Sequence, residues 1–394
     1  MATNIVPYKI AIPSSDVDLL NQKLSSARIP DGAAEEGWER GPPLRTIRRL
    51  TNHWHEKFSW HGFEGRLNQL PNYEATVSVD GFDDIQVHFV HQKSKSPDAI
   101  PLLFVHGWPG SFYEVSKILP LLAGAFHVVA PSLPNFGFSS RINKSGFGMK
   151  QYAETCHKLM QGLGYKTYAS QGGDWGTSIT RVMGVLYPQS LRAIHLNLIV
   201  ATPPPISAPF SFVRFLVNHF LNLYMPGEAE GLKKAQAHKG NGDGYFEIQK
   251  QRPVTIGIAL EDSPVALLTW IYEKLVGWTD EYPWTDDEVC EWISLYWFSR
   301  AGPGASVVIY HEAFKGDIEA TASIFPQSAK MGFSYFPKEI FRTPRLWNNQ
   351  LGDVVFEREH EHGGHFAAWE QPEDLAKDLR DMFSEGGKAR GAFK

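Results

Sequence analysis

The sequence predicts an α/β protein built on a mostly parallel central sheet. Three observations carry that expectation. From Ile100 onward, short apolar runs of the kind buried on both faces of a sheet alternate with helix-like stretches. One such run, Ile100 to Val105, ends in the glycine-bearing turn His106-Gly107-Trp108-Pro109-Gly110. A second turn, Gly172-Gly173-Asp174-Trp175-Gly176, joins a strand-like run from Lys166 to Ser170 to a helix-like run beginning near Thr177. Repeated strand, turn and helix units favour parallel strands wrapped by helices.

Residues 1–97 precede the alternation and read as an N-terminal meander packed on the core. Ser14 or Ser15 caps a helix expected from Asp16 to Ala27. Prolines and glycines interrupt between Pro30 and Pro43, and a second helix is expected from Thr46 to Phe58, with Trp54, Phe58 and Trp60 as its buried side. Tyr73 to Val79 and Ile85 to His91 alternate apolar and polar residues around Asp80-Gly81, a hairpin pattern.

Residues 98–200 form the first part of the core. Strands are expected at Ile100–Val105, His127–Ala130, Thr167–Ser170 and Arg192–Leu198, and helices at Tyr152–Leu163 and Thr177–Leu186. Ala201-Thr202-Pro203-Pro204-Pro205 ends the alternation. Residues 201–304 are helix-like, aromatic and punctuated by proline, as expected of a helical lid over the C-terminal edge of the sheet. Its most apolar segment, Phe210 to Met225, is broken by Arg214, Asn218, His219 and Asn222, so it reads as a pocket-lining helix rather than a membrane contact. Residues 305–394 return to the core, with strands at Gly332–Phe336 and Val354–Arg358 and a last helix at Pro372–Phe383.

Composition narrows the function classes. The 394 residues are 43% hydrophobic and 21% charged, as in a globular enzyme. A net charge of −5 without long single-sign runs gives no footprint for nucleic acid or an anionic membrane. Met1 to Leu20 has no continuous apolar stretch and reads as neither signal peptide nor anchor, so a soluble, cytoplasmic protein is expected. Two cysteines, Cys156 and Cys290, cannot form a disulfide framework and read as buried thiols. The 12 Trp, 14 Tyr and 25 Phe are compatible with plain core but also suit a large pocket for an apolar or aromatic small molecule.

The chemistry starts at Gly172 to Gly176. Small–x–nucleophile–x–small between strand and helix is the pattern of a nucleophile elbow, and no Gly-x-Ser-x-Gly occurs elsewhere. Its central residue is Asp174, and a carboxylate nucleophile points to attack on carbon. A base is expected downstream. His365, in Gly363-Gly364-His365-Phe366, is the best candidate, with His360 and His362 as competitors. The acid orienting it is expected at a strand's C-terminal end, which favours Glu339. The rival Asp353 lies at the N-terminal end of the last strand, and at ~3.3 Å per residue that is roughly 15 Å or more from the catalytic edge. The backbone N–H groups of Trp108 and Trp175 are the candidates for an oxyanion hole. His360, His362 and His365 also read as a weak metal motif; no metal or organic cofactor is expected.

Several stretches resemble the soluble fungal epoxide hydrolases related to the microsomal epoxide hydrolases, of the α/β-hydrolase superfamily. They are Trp60 to Tyr73, His106 to Ser111, Pro131 to Pro134, Gly172 to Gly176, Arg252 to Gly277, Gly332 to Glu339 and Gly363 to Ala368. The resemblance implies conversion of an epoxide to a vicinal diol through an alkyl ester on Asp174, hydrolysed by water activated by His365 and Glu339. It also implies two lid tyrosines holding the epoxide oxygen, Tyr245 and Tyr310 by motif; composition alone does not choose these over Tyr272, Tyr282 and Tyr296. Where some family members carry Asp as the orienting acid, this chain has Glu339. Related soluble enzymes suggest a homodimer, on which the residues are silent. The alternatives are a haloalkane dehalogenase using the same aspartate, or a non-catalytic binding protein of this fold.

Overall fold

Residues 1–31, 37–315 and 328–393 are described by the computed structural model. Nine strands form one sheet: β1 (Ala2–Pro7), β2 (Asn72–Val77), β3 (Ile85–Gln92), β4 (Ile100–Val105), β5 (Phe126–Pro131), β6 (Tyr168–Gly172), β7 (Leu191–Leu196), β8 (Lys330–Tyr335) and β9 (Asp353–Glu359). Their order is β1-β2-β3-β5-β4-β6-β7-β8-β9. The six from β5 to β9 run parallel, while β1, β2 and β3 add an antiparallel edge. The central strands are solvent-free on both faces: Leu102, Leu103, Val105, Val128 and Val129 are all buried.

This order positions the site. The chain leaves β4 toward β5 on one side and later returns as β6 on the other. That reversal opens a crevice at the C-terminal ends of β4 and β6. Register places Val105 beside Gly172, so the turns following the two strands stand side by side.

In the N-terminal part lie α1 (Ser14–Ser25), α2 (Leu44–Glu56) and α3 (Trp60–Leu67). The crossovers of the first core part are α4 (Val115–Leu122), α5 (Met149–Gly162) and α6 (Trp175–Leu186). Between β7 and β8 come α7 (Pro209–Phe220), α8 (Pro226–Asn241), α9 (Gly244–Gln251), α10 (Pro253–Asp262), α11 (Pro264–Gly277), α12 (Asp286–Trp297) and α13 (Val308–Lys315). The C-terminal part adds α14 (Arg345–Asn348), α15 (Ala367–Glu370) and α16 (Pro372–Phe383). Proline opens α7, α10, α11 and α16, where its missing N–H costs no intrahelical bond.

Four expectations need correction. First, α1 begins at Ser14 behind Pro13, and no side chain caps it. Second, Trp60 belongs to a separate helix, α3, because Ser59 Oγ accepts the Gly62 N–H at 3.1 Å and restarts the chain after α2 ends at Glu56. Third, β1 and α4 have no counterpart in the sequence pattern: β1 is an edge strand with only Ala2 buried, and Pro120 sits inside α4. Fourth, α7 borders neither of the cavities at Asp174. None of its residues is buried, and Phe210 is 93% exposed. No single described helix is long and apolar enough to cross a membrane; α10 and α11 pass such a test only together, across a bend of 116°.

Candidate active site

Asp174 sits between β6 and α6 with φ 48° and ψ −128°, a left-handed conformation that is strained for a residue with a Cβ. The surrounding glycines over-determine it. A Cβ at Gly176 would lie 2.0 Å from the Val105 carbonyl oxygen, so helix and strand pack this closely only with glycine there. The turn after β4 meets the half-buried carboxylate: Trp108 N–H donates to Asp174 Oδ1 at 2.7 Å. Trp175 is the first residue of α6, and an N–H at that position has no acceptor within its own helix.

His365 arrives from the loop after β9. Its Nε2 is 3.2 Å from Asp174 Oδ2, and its Nδ1 is 2.6 Å from Glu339 Oε1. Glu339 comes from the loop after β8, and Lys338 N–H donates to the Gly363 carbonyl at 3.0 Å, tying the two loops together. The His365 and Glu339 side chains are both buried. Burial alone would lower the His365 pKa, but the charges of Glu339 and Asp174 and their hydrogen bonds outweigh it and hold the ring well above the usual range. The competitors lie elsewhere. His360 Nε2 is 2.7 Å from Asp378, His362 is exposed, and Asp353 pairs with Lys330 at the far end of the sheet. Among the described residues no group of three or more His, Cys, Asp or Glu is arranged to hold a metal ion.

Above the carboxylate lies an apolar cavity of about 320 Å³, lined by Asp174, Trp175, Leu198, Phe246, Phe314 and Phe341, and by Tyr245 of α9 and Tyr310 of α13. The two tyrosine rings stand edge to face, 6.0 Å apart. Trp108 stacks on Tyr245 at 5.5 Å, and Trp175 meets Tyr310 edge-on at 4.9 Å. The two tryptophans nearest Asp174 in the chain thus brace the two phenols with their side chains. Burial, the Asp174 charge and, for Tyr310, the neighbouring phenol raise both phenol pKa values well above the ordinary one, against hydrogen bonds that lower them. The other insertion tyrosines are engaged elsewhere: Tyr282 donates to Glu288, Tyr296 to the Gly110 carbonyl, and Tyr272 packs near Trp38.

A second cavity of about 20 Å³ also borders Asp174, lined by Gly107, Gly110, Glu114, Gln171, Asn197 and His365 among others. Asp174 alone, among the described residues, lines both spaces. Sequence reasoning passed over two neighbours of this site. Glu114 is legible only as the last residue of a Ser-x-x-Glu capping box, which it forms with Ser111. Trp278, whose ring meets His365 at 5.1 Å and 76°, carries no signal beyond the aromatic surplus.

The chain is similar to known proteins over most of its length. Residues 5–115 match the family described as epoxide hydrolase N terminus, and residues 100–244 match the α/β hydrolase fold. Epoxide hydrolase 1 of Sus scrofa is 31% identical over 420 residues, spanning 96% of this chain and 88% of that protein. The structure of Aspergillus niger epoxide hydrolase superposes with a TM-score of 0.82 at 32% identity, covering 96% of this chain and 95% of the other. The crystal structure of juvenile hormone epoxide hydrolase from Bombyx mori gives 0.87 at 29% identity, covering 99% and 95%.

Proposed function

The chain belongs to the epoxide hydrolase family of the α/β-hydrolases and is an epoxide hydrolase; from that premise we propose that it opens an apolar or aromatic epoxide through an alkyl ester on Asp174. The observation that carries this reading is that Asp174 lines both an apolar cavity bordered by two phenols and a smaller one bordered by an imidazole. The substrate occupies the apolar side, where Tyr245 and Tyr310 hydrogen-bond the epoxide oxygen. Asp174 attacks a ring carbon, the C–O bond breaks, and the resulting alkoxide takes a proton from a tyrosine.

Electrostatics then switches the base on. While Asp174 is a carboxylate, its charge and that of Glu339 hold the proton on His365. Ester formation neutralises Asp174 and removes one of those charges. The His365 proton can then pass to the tyrosinate, whose own proton went to the alkoxide, leaving a neutral imidazole fixed by Glu339. That imidazole deprotonates water for attack on the ester carbonyl. Trp108 N–H, already on Asp174 Oδ1 at 2.7 Å, and Trp175 N–H stabilise the oxyanion.

The test is to trap the ester. His365→Gln is expected to form it at close to the wild-type rate and then fail to hydrolyse it, leaving a mass adduct on the Asp174 peptide with styrene oxide as probe. A His365→Gln protein that turns styrene oxide over freely, or that never acquires the adduct, contradicts the scheme.

A further inference from the structure

Hydrolysis of the ester needs a water held beside His365. Building on the ester scheme above, we propose that the small cavity beside His365 holds this water and that Glu114 is its positioning residue. The cavity measures about 20 Å³, and roughly 10–15 Å³ suffices for one water given two to four polar partners. Glu114, Gln171, His365 and Asp174 all line it. Gln171 is 1% exposed, and its Oε1 has no hydrogen-bond partner among the described residues, while its amide nitrogen donates to Asn197 at 2.7 Å. That buried acceptor calls for a donor such as water.

Two glycines make room for the carboxyl groups that line it. A Cβ at Gly110 would lie 1.9 Å from Glu114 Oε1, and one at Gly107 would lie 2.0 Å from Asp174 Oδ1. Glu114 Oε1 accepts the Ser111 N–H at 3.1 Å, which fixes the carboxyl and leaves its second oxygen for the water. Burial pushes the acid up to about 8, against the opposing effects of His365 and the Ser111 N–H. At neutral pH it is therefore a neutral O–H donor and adds no second negative charge beside Asp174.

The step balances with Glu114 keeping its proton throughout. The water gives one proton to His365 Nε2 as its oxygen bonds to Asp174 Cγ. The Cγ–O bond to the substrate breaks, its electron pair stays with the departing oxygen, and that oxygen takes the proton from His365. Asp174 is left as a carboxylic acid holding the water oxygen. Its remaining proton passes to His365 as the carboxylate is restored.

The competing explanation is that Glu114 serves only as a helix cap, and single-turnover kinetics with styrene oxide separate the two. Glu114→Met keeps the length and removes the polar atoms. It should form the ester within about 3-fold of the wild-type rate but hydrolyse it about 100-fold more slowly, the scale of a misplaced reactant. Glu114→Gln, which retains a Ser111 acceptor and a donor for water, should recover most of that loss. Ser111→Ala removes the other half of the cap and should lower the melting temperature while leaving ester hydrolysis unchanged. The proposal is overturned if Glu114→Met hydrolyses the ester at the wild-type rate, or if Ser111→Ala slows hydrolysis as much as Glu114→Met does. Absence of any ester in His365→Gln, run alongside, would instead bring down the ester scheme itself.

Discussion

Asp174 borders two spaces: an apolar one of about 320 Å³ walled by Phe246, Phe314, Phe341 and two phenols, and one of about 20 Å³ where the polar groups of His365, Glu114 and Gln171 stand among Phe104, Phe366 and Ala368. The difference bears on how one carboxylate can serve two reactions. Displacement at carbon favours an organic substrate held away from water, with weakly acidic donors on its oxygen. Hydrolysis requires a single water, a base and an oxyanion site. Under the proposed scheme, separate cavities would let Asp174 face both without the substrate having to leave before water arrives. Each side is therefore expected to govern its own half-reaction, and substitutions should split the kinetics accordingly.

The largest split is expected on the polar side. Glu339→Gln leaves His365 without the charge that orients it, and hydrolysis should slow by roughly 10³-fold or more, as when the acid of a triad is neutralised. Ester formation should change far less, so the ester accumulates in a quenched-flow experiment. Equal losses in both steps would erase the distinction between the cavities. On the apolar side, Tyr310→Phe removes one donor to the epoxide oxygen. Ester formation should fall by about 10–100-fold, in the range of a lost oxyanion or general-acid contact, with hydrolysis of any ester formed near the wild-type rate. Accumulated ester in Tyr310→Phe would assign the phenol to the wrong half-reaction.

The smallest effect is on stability. Burial first, then the Asp174 charge, raise the Glu114 pKa, partly offset by His365 and the Ser111 N–H, to about 8, whereas an unfolded glutamate titrates near ~4.3. Between those values the folded protein holds a proton that the unfolded chain has lost, so this group's contribution to stability declines as pH rises through that window. Glu114→Gln does not titrate. Its melting temperature relative to wild type should therefore climb between pH 5 and pH 8; a pH-independent difference would contradict a buried, protonated acid.

How much of this was legible in the chain depends on where each signal resides. The strands β4 and β5 announce themselves because both faces are buried, which leaves continuous apolar runs. Asp174, Glu339 and His365 are legible because each occupies a loop at the C-terminal end of a strand, two of them among glycines, where this architecture exposes side chains. Edge strand β1 is hidden, since a mostly exposed strand carries no apolar rhythm. α7 misled in the opposite direction: Phe210 to Met225 read as a pocket-lining helix, yet Phe210, Val213, Val217 and Phe220 are exposed. Glu114 was illegible as a site residue because its proximity to His365 depends on the registers of β4, β6 and two later loops. Its local sequence speaks only of a helix cap.

The central claim, that Asp174 is alkylated and then freed by water attacking its own carbonyl, is most directly tested by a single turnover with enzyme in excess in heavy-oxygen water. The account predicts a diol free of solvent oxygen, with the heavy atom found in the Asp174 carboxylate. A diol that carries solvent oxygen in that first turnover would mean that water attacks the epoxide directly, contradicting the ester route.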